Sequence, residues 1–591
     1  MSSLESGKHR FFSKIRDMHP GEAVLARSSI LRDAFPTAIQ AGSSNHGVFV
    51  EGQLADVLSG TIYPARIHME GGVITRIERQ ESAPQQYLLP GLIDAHVHIE
   101  SSHLTPYRFA EMAVVHGTTA VVTDPHEIAN VAGMDGIEFM VRDGRGTPLR
   151  FYFTAPSCVP STPFESSGAT LDQEAVKRLL QRDDFVALGE VMDFTGAIRG
   201  DPDILAKLEI SRQAGKPVDG HCPGLEGEML DQYIDLGIST EHECTELGEA
   251  LEKHLKGMII MVREGSASRD LTALLPLARI SMHFLVTDDL QASDLVKGHV
   301  NVLLRKSVEG GVDPIHALRA VTLWPAEHYG LPGGALQVGE VADIVIVNDL
   351  REFKVLETWI GGELVARNGK PLFKGMPLTM AHFMPPKVLE KEGLEMRGQG
   401  NRATVRVIEV LPNHIISRAR TAKLPVRDGK IIPDPSRDIL KLVVINRYAD
   451  TKPSLAFIKG FGLRSGALAS SVAHDAHNLI AVGVDDLSLT AAINGLCEQG
   501  GGFLAIDGET SERLQLPVAG LMSTRPCVEV ARQMEKVDAF VRAMGCSLPA
   551  PFITLSFQSL LVVPELKLGA RGLFDSVKMR FVEPVIRPQK E

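Results

Sequence analysis

Two histidines and an acid follow one short apolar run near the start of the chain. Pro90 and Gly91 introduce the run, and His96, His98 and Glu100 then come at alternate positions. Because successive side chains of a strand point to opposite faces, the imidazoles of His96 and His98 share one face. Two imidazoles on one face can bind one metal ion, although two ordinary strand histidines would give the same pattern.

Polar residues also end other apolar runs between residues 89 and 330. They are Asp124, His126 and Glu127 after the second run, Glu190 after the fourth, His221 after the fifth, His242 and Glu243 after the sixth, and Asp288 after the eighth. Taken singly, each is as readily a solvated loop residue, and Asp124 or Glu127 could simply lie solvated at the start of a helix. Together they predict one site, because the carboxyl ends of parallel barrel strands meet.

Imidazoles and carboxylates are ligands that suit divalent Zn, Mn or Fe. We predict that one ion is held by His96, His98 and Asp288 and a second by His221 and His242, with Glu190 as a bridge. Such ions lower the pKa of bound water and polarise the group under attack. Asp288 is then the best candidate to move a proton from water to the leaving group.

Eight strand–helix units are predicted around these residues. The strands are 91–98, 118–124, 149–155, 185–191, 217–221, 238–242, 257–263 and 282–288, and helices at 104–116, 171–182, 203–214, 225–236, 245–255 and 270–277 separate them. This count matches an α/β fold of the (β/α)8 barrel class over residues 89–330.

The segments on either side of the predicted barrel have a different character. Short strand-like runs separated by glycines occupy residues 46–88 and recur at 331–385, which predicts one composite β-sandwich built from both flanks. Residues 1–45 are predicted to be a helical extension, and residues 386–591 a further mixed α/β domain of ordinary size.

Composition excludes several classes of protein. The 591 residues carry a net charge of −12, which argues against nonspecific nucleic-acid binding. No apolar run is long enough for a membrane span, and the charged N-terminus does not resemble a signal peptide. Six scattered cysteines without CxxC spacing predict reduced thiols, and hence a cytoplasmic protein. A homo-oligomer is expected because soluble enzymes commonly form one.

Several stretches resemble the amidohydrolase superfamily and, within it, the adenine deaminases of bacterial type. The resemblance runs from about residue 46 to the C-terminus. Its motifs are Pro90–His98, His98–Ser102, Thr123–Asn130, Gly189–Met192, Gly220–Gly224 and Thr287–Asp289, followed by Lys459–Gly462, Ala473–Asn478, Ala519–Ser523 and Thr554–Phe557.

The resemblance implies a metal-dependent hydrolase that converts adenine and water to hypoxanthine and ammonia in purine salvage. Carried over, the metal ligands would be His96, His98, Glu190, His221, His242 and Asp288, with two divalent ions per subunit, Mn or Fe, or else Zn. Many amidohydrolases place a carboxylated lysine where this chain has Glu190. That departure fits the adenine deaminase branch and counts against a cyclic-amide hydrolase resembling dihydroorotases or hydantoinases. The other alternative is a metal-free scaffold.

Two groups of residues are assigned to the substrate. Protonation of the purine ring at N1 is left to Glu127, His126 or Glu243. Contacts with the base are assigned to Asp124, Glu100, Ser101, His474, Asp475 and His477. The last three lie in the loop Ala473–Asn478, which would cover the mouth of the barrel or else form a structural turn fixed by its own hydrogen bonds.

Overall fold

The computed structural model describes residues 48–380, 389–412 and 414–586. The extension predicted at 1–45 and the boundary predicted at 385/386 lie outside these residues. The described chain begins with four strands, β1 (Val48–Asp56), β2 (Thr61–Glu70), β3 (Val73–Arg79) and β4 (Tyr87–Pro90). The first three form an antiparallel meander, and β4 runs parallel to β1.

Eight parallel strands follow in the central segment, at the eight predicted positions. They are β5 (Leu92–Val97), β6 (Thr118–Thr123), β7 (Arg150–Ala155), β8 (Phe185–Val191), β9 (Val218–Gly220), β10 (Thr240–Glu241), β11 (Ile259–Arg263) and β12 (His283–Val286). Strands β5 to β9 form one sheet and β10 to β12 another. Backbone hydrogen bonds connect the two sheets at both edges, from Ser239 to Val218 and from Asp288 to His96.

Helices follow the parallel strands. They are α1 (Pro106–Ala113), α2 (His126–Gly144), α3 (Gln173–Leu180), α4 (Phe194–Arg199), α5 (Pro202–Ala214), α6 (Gly227–Asp235), α7 (Leu247–Leu255), α8 (Leu271–Ala278), α9 (Ala292–Leu295), α10 (Val300–Glu309), α11 (Pro314–Arg319) and α12 (Leu323–Tyr329). Helix α5 shows how sequence sets such bounds: Asp201 accepts two backbone N–H bonds, Pro202 opens the first turn, and Gly215 ends the helix at φ 68°.

The chain then returns to the first sheet. Strands β13 (Ile344–Val347), β14 (Val355–Ile360), β15 (Glu363–Arg367) and β16 (Lys370–Pro371) add to it, and β13 pairs with β4. The resulting order is β16-β15-β14-β13-β4-β1-β2-β3. Both flanks of the central segment therefore share one eight-stranded sheet.

The C-terminal segment forms a second large sheet and a smaller one. Its strands are β17 (Arg402–Val410), β18 (Ser417–Arg427), β19 (Lys430–Ile431), β20 (Leu440–Ile445), β21 (Ser454–Lys459), β22 (Ala467–Ser470), β23 (Leu479–Gly483), β24 (Gly502–Asp507), β25 (Thr510–Gln515), β26 (Leu566–Gly569), β27 (Gly572–Asp575), β28 (Arg580–Phe581) and β29 (Val585–Ile586). The helices are α13 (Asp486–Glu498), α14 (Cys527–Ala543) and α15 (Pro551–Ser556).

This segment packs directly on the central strands and helices. One continuous apolar cluster includes Val97 of β5, Phe109 of α1 and Val530 of α14. Backbone hydrogen bonds also cross the boundary, from Thr105 to Ser523 and from Ser523 to His103. The C-terminal segment is therefore placed where it can contribute to a site at the strand ends. Across the described parts of the chain, no helix has the length and apolarity needed to cross a bilayer. None of the six cysteines forms a disulfide bond.

Candidate active site

Glu190, at the end of β8, lies among four imidazoles. Its Oε1 is 3.2 Å from Nε2 of His98 and 3.9 Å from Nε2 of His96. Its Oε2 is 2.8 Å from Nδ1 of His221 and 3.3 Å from Nε2 of His242. The two carboxylate oxygens therefore face two separate pairs of histidines.

Asp288 completes the group from the end of the eighth strand. Its Oδ1 is 3.2 Å from Nε2 of His98 and 3.6 Å from Nε2 of His96. Its N–H donates to the carbonyl of His96, and its own carbonyl accepts from His98 N–H. The φ angle of Asp288 is +54°, a left-handed conformation that costs a non-glycine residue about 1–2 kcal/mol. Such strain tends to collect at functional sites, where surrounding contacts hold it in place.

The hydrogen bonds of His98 test whether these groups suit a cation. Its Nδ1 lies 3.1 Å from the carbonyl oxygen of Asp124, so Nδ1 carries the proton in the neutral ring. In the neutral ring the lone pair of Nε2 faces the carboxylate oxygens of Glu190 and Asp288, so a positive charge, either a second ring proton or a metal ion, is needed between them. Buried nitrogen and oxygen ligands of this kind suit a divalent transition metal.

Burial and charge compete at the two carboxylates. Burial favours the neutral acid of Glu190, but the imidazoles of His242 and His221 outweigh it and hold the Glu190 pKa well below its usual value. Burial likewise opposes ionisation of Asp288, and hydrogen bonding to His96 helps to hold its pKa well below the usual range. Both side chains are thus present as anions in the buried site.

The segment that follows β6 turns inward instead of lying in solvent. Asp124 and Glu127 are each only 1% exposed. Helix α2 begins at His126, and Glu100 accepts the N–H of Ile128 in its first turn. Nδ1 of His126 is 3.6 Å from Asp124 and 3.7 Å from Glu190, while its Nε2 is 3.7 Å from Asp475. The interpretation of this segment as a solvated helix start is therefore wrong.

Glu127 is surrounded by groups from both the central and the C-terminal segments. Ser101 Oγ donates to its Oε1 at 2.9 Å, and Nδ1 of His474 is 3.5 Å from the same oxygen. Nε2 of His477 is 3.6 Å from Oε2. Because Nδ1 of His477 accepts the N–H of Ala473, the neutral ring carries its proton on Nε2, toward Glu127. His477 is therefore arranged as a proton donor toward this carboxylate.

A pocket with about 390 Å³ of empty space, part of it open to solvent, lies above these groups. Of the residues assigned to the site from sequence, the ones on its wall are His98, His126, Glu127, Glu190, His221, His242, Glu243, Asp288, His474 and Asp475. The ones behind the wall are His96, Ser101, Asp124 and His477, which contact wall residues or their backbone, and Glu100, which contacts Ile128 next to Glu127. The structure therefore brings the predicted residues together in two layers.

The C-terminal segment supplies an apolar part of the wall that sequence reasoning did not find. Phe557, Leu560 and Ile415 line the pocket. The rings of Phe557 and His474 stack with centroids 4.5 Å apart and 14° between planes. Ser559 Oγ donates to the carbonyl of His474 at 3.0 Å. The Ala473–Asn478 loop thus covers one side of the pocket.

Arg263, at the end of β11, is a charged residue of the site that sequence reasoning missed. Its Nη1 donates to Glu243 Oε1 at 2.5 Å and to Asp288 Oδ2 at 3.1 Å. Its Nε donates to Asp270 Oδ2 at 3.1 Å. The signal was available, because Arg263 is the polar residue at the end of the seventh predicted strand, a strand to which no site residue was assigned.

The sequence was also compared with known families and proteins. The profile described as "Amidohydrolase family" matches residues 87–365, and "Adenine deaminase C-terminal domain" matches residues 414–580. Adenine deaminase from Methanothermobacter thermautotrophicus is 47% identical over 534 residues, which are 90% of this chain and 98% of that protein. Adenine deaminase from Salinibacter ruber is 45% identical over 538 residues, which again are 90% of this chain and 98% of that protein.

The solved structure of molinate hydrolase aligns with 59% of this chain and all of its own, at 16% identity and a TM-score of 0.43. The curated relatives are far more similar than that, and they match almost from end to end. Together with the matched profiles, they bear out the resemblance seen in the motifs: this chain belongs to the adenine deaminase family of amidohydrolases.

Proposed function

We propose that this protein hydrolyses adenine to hypoxanthine and ammonia. The observation that carries the proposal is the pairing of four imidazoles with the two oxygens of Glu190, at the base of a pocket lined by residues of both segments. The relatives that match along nearly the whole chain are named adenine deaminases, which supports adenine as the substrate.

Two divalent cations fit the buried ligands. His96, His98 and Asp288 would hold one, His221 and His242 would hold the other, and Glu190 would stand between them with one oxygen toward each. Manganese and iron suit these ligands, as does zinc. When bound, such ions make water a nucleophile at neutral pH and polarise the carbon under attack.

The chain's own carboxylates then move the protons. Water adds to C6 of adenine, and Asp288 accepts a proton from that water. The ring is protonated at N1, and Asp288 passes its proton to the amino group. The C6–N bond then breaks, the C6 hydroxyl returns its remaining proton to the acid that protonated N1, and hypoxanthine and ammonia are formed. Asp288 is suited to this task because Oδ1 faces the histidines while Oδ2 is free to accept from Arg263 or from water.

Among the three candidates for the ring proton, we favour Glu127. Glu243 is already engaged in an ion pair with the guanidinium of Arg263, 2.5 Å from Nη1. His126 contacts Asp124, Glu190 and Asp475, and so is occupied in fixing the wall. Glu127 lines the pocket, its Oε1 accepts from Ser101 Oγ, and the neutral imidazole of His477 lies 3.6 Å from its Oε2.

The residues assigned to the base take two kinds of role. His474 and Asp475 lie on the pocket wall and are positioned to contact the substrate directly. Ser101 and His477 hold Glu127 from behind. Asp124 accepts the backbone N–H of Glu190, and Glu100 accepts the N–H of Ile128 in helix α2. These four side chains therefore orient the residues of the wall.

We propose that the two parallel sheets form one closed (β/α)8 barrel. The hydrogen bonds between Ser239 and Val218 at one edge, and between Asp288 and His96 at the other, support this closure. The eight-stranded sheet that both flanks share supports the composite sandwich of residues 46–88 and 331–385. Residues 89–330 would then be the catalytic barrel and 386–591 the C-terminal domain.

The substrate class points to purine salvage as the setting, with a small purine base as the partner and a homo-oligomer as the expected assembly. A cyclic-amide hydrolase on the same fold is disfavoured by Glu190 at the bridging position and by the adenine deaminase relatives. A metal-free scaffold is disfavoured because all six expected ligands converge.

The test is ammonia release by enzyme loaded with Mn or Fe, from adenine, guanine, cytosine and adenosine in parallel. We expect release from adenine alone. Release from adenosine or from none of the four, with metal content verified, would overturn the assignment of substrate while leaving the family membership intact.

A further inference from the structure

We propose that Arg263 is a substrate-binding residue whose free guanidinium nitrogen, Nη2, donates to a ring nitrogen of the base. This inference rests on the proposed deamination of adenine and adds to it a contact that the sequence motifs do not contain. Three independent features of Arg263 support it: its fixed geometry, its unused donor, and its place on the pocket wall.

The guanidinium is held in one orientation by three carboxylates. Glu243 and Asp288 accept from Nη1, and Asp270 accepts from Nε on the other edge of the group. A planar guanidinium fixed at two of its nitrogens has its third nitrogen fixed as well. The whole residue is 2% exposed, so solvent does not compete for the group.

The third nitrogen has no partner among the described residues. Nη2 of Arg263 is buried and makes no hydrogen bond, although Nε and Nη1 are both used. A buried donor left unpaired costs about 1–3 kcal/mol, and more when it is charged, so such atoms are rare unless a ligand completes them. Arg263 lines the pocket together with Asp288 and Glu243, and the pocket is where such a ligand would lie.

Adenine offers what this donor lacks. Its ring nitrogens N1, N3 and N7 each have an in-plane lone pair and no hydrogen. A hydrogen bond from a cation to one of them would fix the base in the pocket and draw electron density from the ring, which favours addition of water at C6. Charge-assisted bonds of this kind correspond to about a 10- to 100-fold change in binding.

A purely structural role for Arg263 makes a different prediction. If the residue only neutralises Glu243 and Asp288, substitution should weaken every base by the same factor, because no particular atom of the base depends on it. If Nη2 binds one ring nitrogen, the analogue with carbon at that ring position already lacks the contact in wild type. Substitution of Arg263 should then weaken the binding of this analogue no further.

The experiment measures competitive inhibition constants for 1-deaza-, 3-deaza- and 7-deazaadenine, against adenine turnover, in wild-type enzyme and Arg263→Lys. Metal content is measured in both. Arg150→Lys is the matched control, because Arg150 pairs with Asp343 in a bidentate bond and does not line the pocket. Wild-type turnover of adenine is verified first, so that a failure of the proposed function is seen separately.

We expect one deaza analogue to bind wild type about 10- to 100-fold more weakly than adenine does. In Arg263→Lys, that analogue should bind only about 3-fold or less more weakly than adenine. In Arg150→Lys, the ratio between the two affinities should stay at the wild-type value. An unchanged ratio in Arg263→Lys would overturn the proposal. If that variant fails to fold, wild type alone decides: three analogues that all bind as tightly as adenine would also overturn it.

Discussion

The pocket has two walls of different origin, and they differ in chemistry. The wall from the central strands carries the histidines, Glu190 and Asp288, joined by ion pairs. The wall from the C-terminal segment carries Phe557, Leu560 and Ile415 beside His474. Strand ends thus supply the groups that react, and the added segment supplies the shape and an apolar surface. This division predicts a different kinetic signature for substitutions on each wall.

The largest effect is expected at the centre of the strand-end wall. Glu190→Gln removes the charge that faces both pairs of histidines, so the variant should lose bound metal together with activity, by at least about 10³-fold in kcat/KM. Metal content and ammonia release would be measured on the same preparation. Glu165→Gln, a buried glutamate outside the ligand group, is the control and should keep its metal. A Glu190→Gln variant with full metal and full rate would remove Glu190 from the bridge.

A smaller loss, confined to turnover, is expected at Glu127. Glu127→Gln cannot give a proton to the ring, and proton transfer by a positioned side chain contributes about 10²–10⁴-fold. Because Glu127 is not among the proposed metal ligands, metal content should stay at the wild-type level. The comparison with Glu190→Gln therefore separates proton transfer from metal binding. An unchanged kcat would assign the ring proton to His126 or Glu243 instead.

On the C-terminal wall, KM is expected to change more than kcat. Phe557→Ala removes a ring that stacks on His474 and lines the pocket, so KM for adenine should rise about 10-fold while kcat falls much less. Phe574→Ala, in the same segment but packed against Phe164 and Phe581, is the matched control and should leave KM unchanged. A fall in kcat at constant KM would contradict the division between the two walls.

The smallest effect is expected behind that wall, at Lys567. This fully buried lysine donates to the carbonyls of Phe557 and Ile415, and burial lowers its pKa to about 7 from the usual 10.5. Between these two pH values Lys567 binds a proton in the unfolded chain but not in the folded one. Its contribution to the free energy of unfolding therefore rises with pH from 7 to 10.5.

Lys567→Met should lack that rise. The apparent Tm of wild type minus that of the variant should therefore increase between pH 7 and 10, by about a few degrees. The two carbonyls left without a donor lower the variant's Tm at every pH, so the slope is the informative quantity. Lys578→Met, at an exposed position, should follow wild type. If the difference in Tm between wild type and Lys567→Met stays constant from pH 7 to 10, the buried amine keeps its proton.

The two walls also differ in how far sequence could predict them. Strand periodicity placed all eight central strands, and because each strand end carries its polar residue to the same place, His96, Glu190 and Asp288 could be grouped before the structure was known. The resemblance to adenine deaminases came from the motifs, and the relatives bear it out.

The C-terminal wall could not be grouped in this way, because Ile415, His474 and Phe557 lie on irregular segments whose approach is fixed by packing over the whole domain. Their spacing in the sequence follows neither a helix period nor a strand period. Arg263 was missed for another reason. Arginine does not bind metal ions, so its residue type did not mark it as part of a metal site. Its position at the end of a strand is nevertheless the same as that of Glu190.

The contact between Asp288 and His96 joins the first and last strands of the central segment. During translation, the early part of the chain delivers His96 and His98 long before Asp288 leaves the ribosome, and His474 later still. A nascent polypeptide therefore holds an incomplete set of ligands until Asp288 is made, and an uncovered pocket until His474 and Phe557 follow. The site is in this sense completed in two stages of synthesis, the charged groups first and their cover afterwards.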